Sequence, residues 1–77
     1  MNKKFVARMD AENLEIKEAE VLSAAYNGVQ LIKILGTNYI YYEKAANLAD
    51  TRDGAIEILQ NKLANLQRQL SNIWNQQ

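Results

Sequence analysis

Three tyrosines, Tyr39, Tyr41 and Tyr42, stand between two lysines, Lys33 and Lys44, with Glu43 among them. Aromatic rings beside ammonium groups can stack on a planar ligand such as a nucleobase and hold its phosphate. They can equally fill the faces of a hairpin, with the lysines keeping a sheet edge soluble. Glu43 could accept a proton and Tyr39 or Lys33 return one, but no glycine-rich phosphate loop, nucleophile elbow or HExxH motif accompanies them. The chain holds no Cys and no His. That removes disulfides, Cys/His zinc sites, Ser–His and Cys–His nucleophile pairs and a histidine pH switch together. A 77-residue chain also rarely walls off a catalytic pocket except between subunits. No enzyme, catalytic residue, metal or cofactor is expected.

A second group of ionisable side chains lies in Asp10–Glu20, five acids and one lysine. Its spacing does not match an EF-hand loop, for it lacks the central glycine and the closing Glu. It reads as a solvated face or as an acidic patch for a basic partner. Over the whole chain nine basic and nine acidic residues cancel, so no general field draws it to nucleic acid or an anionic membrane. The longest apolar stretch, from Val29 to Tyr42, is broken by Gln30, Lys33, Thr37 and Asn38, so no membrane span is expected. The first residues are too polar for a signal-peptide core, and the expected compartment is cytoplasmic.

These groups need elements to position them. Asn27-Gly28 between apolar runs signals a two-residue hairpin turn. Residues 29–35 and 39–44 are rich in β-branched and aromatic side chains, and Gly36-Thr37-Asn38 between them suggests a three-residue loop. That loop would set Ile34 opposite Ile40 and Ile32 opposite Tyr42, an apolar face packed on a helix. Lys33 would then face Tyr41, and Leu35 Tyr39, on the other side. The partner- or ligand-binding surface is accordingly placed on Tyr39, Tyr41 and Lys33. Upstream, residues 3–9 and 14–22 read as two more strands around a turn at residues 10–13, with a bulge between Lys17 and Ala19 where the alternation slips.

From residue 51 the pattern changes. Ile56, Leu59, Leu63, Leu66, Leu70 and Ile73 recur at alternating spacings of three and four, a heptad seam, after a capping side chain at Asp50 or Thr51. The fold expected is α+β in a single domain: a small antiparallel β-meander (3–44), a connector (45–50) and a long C-terminal amphipathic helix (51–75) that oligomerises. The alternative is an all-α helical hairpin, with residues 11–49 as one helix.

A 25-residue helix would run about 36 Å and a six-residue strand about 20 Å, so a small sheet covers only part of the seam. The rest predicts a homo-oligomer, with Leu59, Leu63, Leu66, Leu70, Ile73 and Trp74 at the interface. A chain this short buries only roughly 60% of its unfolded surface, which also favours a partner subunit. Gly36-Thr37, Tyr39, Glu43-Lys44 and the seam from Ile56 resemble the second hairpin and C-terminal coiled-coil helix of prefoldin subunits. The long N-terminal helix of such a subunit has no counterpart here, so no chaperone function is inferred. In size the chain is similar to accessory proteins of phages and other mobile elements that inhibit or sequester a host component. The expected function is a non-enzymatic interaction or inhibitor protein, with another protein or a small ligand as partner. The alternative is a small-ligand or nucleotide-binding protein with sites between subunits; a nucleic-acid-binding module is disfavoured by the charge balance.

Overall fold

Asn27 and Gly28 take φ values of 53° and 78°, and the flanking residues exchange two hydrogen bonds, Tyr26 N to Val29 O (2.9 Å) and Val29 N to Tyr26 O (3.1 Å). This is the two-residue hairpin turn expected, and it excludes a helix through residues 11–49. The computed structural model describes residues 2–10 and 12–76. Four strands, β1 (Asn2–Met9), β2 (Leu14–Val21), β3 (Val29–Ile34) and β4 (Ile40–Lys44), precede a single 3-10 turn (Ala45–Asn47), a short β5 (Leu48–Ala49) and one helix, α1 (Arg52–Asn75). The fold is α+β, an antiparallel sheet ordered β4-β3-β2-β1-β5 followed by the helix. The expected connector is thus not a plain link, since Leu48 and Ala49 pair with Val6 and Phe5 to add a fifth strand.

The turn between β1 and β2 is closed by Asp10, whose Oδ1 accepts from Glu12 N (2.9 Å) and Asn13 N (2.7 Å). Those two bonds hold the Asp10 carboxyl below its usual range. Ala11, the remaining residue of that expected turn, lies outside the described residues.

Two expectations about register are corrected. The β3–β4 loop contains four residues, because Gly36 adopts φ of 79° and Thr37 N donates back to Ile34 O (3.2 Å). Thr37 Oγ1 locks the same loop, donating to Ile34 O and accepting from Tyr39 N. Leu35 therefore enters the loop, Ile32 pairs with Tyr41, and Lys33 pairs with Ile40. A one-residue slip moves every side chain of a strand to the other face. In β2 the expected bulge is absent, as Leu14 to Val21 pair with Met9 to Asn2 without interruption. The alternation slips because the strand buries opposite faces along its length: Ile16 lies under the helix, whereas Ala19 and Val21 belong to a second core.

That second core forms because the sheet rolls up. The outer strands β4 and β5 are joined by only Ala45–Asn47. Four flat strand spacings would need about 19 Å, and the step from Lys44 to Leu48 reaches at most about 14 Å. The roll also brings Arg8 of β1 over the ring of Tyr41 of β4, although two strands lie between them. Inside are Val6, Ala19, Ile32, Ile34 and Leu48, with Val21 and Tyr41 against them. The expected helix-packed face of Ile32 and Ile34 is therefore the interior of the roll. The helix sits on the outer surface, where Ala55, Ile58 and Leu59 meet Phe5, Ala7, Met9 and Ile16.

The Thr51 side chain caps α1, accepting from Gly54 N at 3.0 Å, and Asp53 in the first turn complements the helix dipole. Gly54 fits a close approach: a Cβ there would stand 3.0 Å from the Ala49 Cβ, tighter than an ordinary contact.

Candidate functional site

The corrected register divides the expected binding trio. Tyr39 and Tyr41 share the inward side of the hairpin and stack, with ring centroids 4.8 Å apart and planes inclined by 24°. Lys33 stands on the outward side, beside its cross-strand partner Ile40. The cation that accompanies the tyrosines is Arg8, whose Cζ lies 5.9 Å from the Tyr41 ring centroid, within cation–π range. Sequence spacing offers no hint of Arg8, since β1 and β4 meet only through the roll of the sheet.

Below the rings is a polar clamp. The Tyr41 hydroxyl donates to Glu43 Oε2 (2.7 Å), while Asn47 Nδ2 (2.8 Å) and Lys44 N (3.0 Å) donate to Glu43 Oε1. Burial, reinforced by the Glu43 bond and charge, pushes the Tyr41 phenol up to about 12. For Glu43 burial acts upward, but the bonds from Asn47, Tyr41 and Lys44 N, together with Arg8, outweigh it and hold the carboxyl below its usual range. At neutral pH the phenol is protonated and the carboxylate ionised, and each is committed to the other. The clamp ties the 3-10 turn to β4 and fixes the Tyr41 ring. Tyr39, 54% exposed, and the exposed Arg8 are left as the reachable surface, a ring face next to a guanidinium.

The acid-rich segment is dispersed. Glu18 pairs with Lys3 (3.0 Å), Glu15 approaches Lys17 (3.8 Å), and Asp10 and Glu12 stand exposed at the β1–β2 turn. Among the described residues no cluster of three or more potential metal ligands occurs.

The seam residues separate into two groups. Leu59 is 7% exposed and covered within the chain by the sheet; Ile58, not Ile56, accompanies it. Beyond Leu59 the cover thins and then ends. Leu63 is 38%, Leu66 47%, Leu70 67%, Ile73 60% and Trp74 73% exposed. The first two still border a groove of about 260 Å³ with Met9 and Leu14, rimmed by Asp10 and Glu12. The molecule is accordingly elongated, 50 × 25 × 20 Å, with the helix projecting past the sheet. Among the described residues no helix is long and apolar enough to cross a membrane.

Comparison with protein-family models, curated proteins and solved structures found no match.

Proposed function

We propose that this chain is a non-enzymatic interaction protein that self-associates through the projecting part of α1 and meets a protein partner through Tyr39 and Arg8, with the half-buried Tyr41 ring stacked behind Tyr39. The observation that carries the reading is the unbroken apolar side from Leu63 to Trp74, which the sheet leaves largely open to water. Soluble monomers rarely leave contiguous apolar surface of more than a few hundred Å² in water. The flanking residues Gln60, Lys62, Gln67 and Gln69 offer no opposite charges, so salt bridges do not select the orientation of a partner helix. On the sheet, a stacked tyrosine pair held by the Glu43 clamp offers large contact area at little ordering cost. An inhibitory role on a host component, in the manner of a mobile-element accessory protein, is the use this reading favours.

Sedimentation tests the reading. The wild-type chain is expected to gain mass with concentration, and Leu66→Lys combined with Leu70→Lys to remain a folded monomer, because both side chains are exposed. Wild-type mass in the double variant would refute it.

The stacked rings beside Arg8 also favour a second reading, a binder of nucleotides or similar planar anions. Co-purified nucleotide absorbance, and tyrosine quenching by an added mononucleotide that disappears in Tyr39→Ala, would select it over the first.

A further inference from the structure

Deepening the self-association proposed above, we infer that two copies pair their projecting helices antiparallel, in layers Leu63–Ile73, Leu66–Leu70 and their symmetry mates. The four seam residues beyond Leu59 are spaced three, four and three apart, a pattern that reads the same in reverse. In an antiparallel pair, residues at the two kinds of seam position face each other across the axis. Leu66 then lies opposite Leu70 and Leu63 opposite Ile73, and no seam residue beyond Leu59 is left unpaired. The two-fold passes near Arg68, which belongs to the opposite side of the helix from the seam, so no like charges meet there.

The surroundings of the seam decide against a parallel pair. Leu63 and Leu66 adjoin the β1–β2 turn, with Asp10 and Glu12 on its rim. Parallel helices would bring both rolled sheets, and both acidic turns, to the same end of the seam, adding like-charge repulsion and crowding. Antiparallel helices carry the two sheets to opposite ends and oppose their macrodipoles. The two sheets are then displaced by roughly 30 Å along the helix axis at 1.5 Å per residue. Each would present its Tyr39–Tyr41 surface separately, making the assembly bivalent.

The native sequence has no Cys, so disulfide trapping is free of background. Leu66→Cys and Leu70→Cys are made separately in the full chain, with folding checked by circular dichroism, and oxidised alone and as an equal mixture. Antiparallel pairing predicts a covalent dimer in the mixture only, because like positions stand too far apart along the axis for a disulfide. Closure within each single variant would establish the parallel arrangement and overturn the inference. A wild-type dimer whose variants close in no combination would overturn the register. A wild-type chain that stays monomeric in sedimentation would overturn the self-association itself, a result distinct from the other two.

Discussion

Residues 52–59 and 63–74 belong to one continuous helix with one apolar stripe, yet the sheet buries that stripe only at Ala55 and Leu59 and thins to the edge of a groove at Leu63 and Leu66. Ala55 and Leu59 are buried on the outside of the rolled sheet, whereas Leu70, Ile73 and Trp74 stand more than half in water. Hydrophobic periodicity marks where a stripe runs; the size of the neighbouring layer decides where it is covered. A sheet that rolls up to build an interior of its own presents a narrow outer face, and a 24-residue helix outruns it.

The contrast predicts different penalties for apolar deletions in the two regions. The largest belongs inside the roll. Ile32→Ala should destabilise by about 2–5 kcal/mol, because Ile32 is fully buried and its loss leaves a cavity. Denaturant melts check this, and such a loss is a large fraction of the stability of a small domain.

The turn that sets β2 against β3 comes next. Gly28→Ala should cost about 1–2 kcal/mol, from the positive φ alone, since a Cβ at that position would meet nothing within 4 Å. A rise in melting temperature would contradict the hairpin.

A smaller effect is confined to the pH extremes. With its phenol raised to about 12 from an ordinary 10.0, Tyr41 binds its proton more tightly in the folded chain. Its contribution is present below pH 10 and lost as pH climbs through about 12. Glu43, with its carboxyl lowered, contributes in the opposite sense, and that share is lost as pH falls through its folded value. Ultraviolet titration should find one of the four tyrosines ionising late, and Tyr41→Phe should remove that step.

The smallest effect belongs to the projecting helix. Leu70→Ala in dilute solution should change monomer stability by less than about 0.5 kcal/mol, as an exposed site should, while weakening association. A loss comparable to that of Ile32→Ala would mean that the chain covers Leu70 itself.

Asn27-Gly28, the four long strands and the capped helix follow from turn chemistry and periodicity, which act over a few residues. Whether three or four residues make the β3–β4 loop depends on Thr37 folding back on Ile34, a choice that composition leaves open. That single residue moves Lys33 away from the tyrosines. The fifth strand is not legible because two residues carry no alternation. Arg8 reaches Tyr41 only once the sheet has rolled, so no local pattern in β1 announces it, whereas Asn47 reaches Glu43 from four residues away through the 3-10 turn.

The difference between the two stretches of α1 can be measured directly by amide hydrogen exchange at several protein concentrations. Residues 55–59, covered by the chain's own sheet, should exchange slowly and at a rate independent of concentration. Residues 63–74 should exchange fast in dilute solution and become protected as concentration rises. Protection of residues 63–74 that stays the same from dilute to concentrated solution would contradict self-association through the projecting helix.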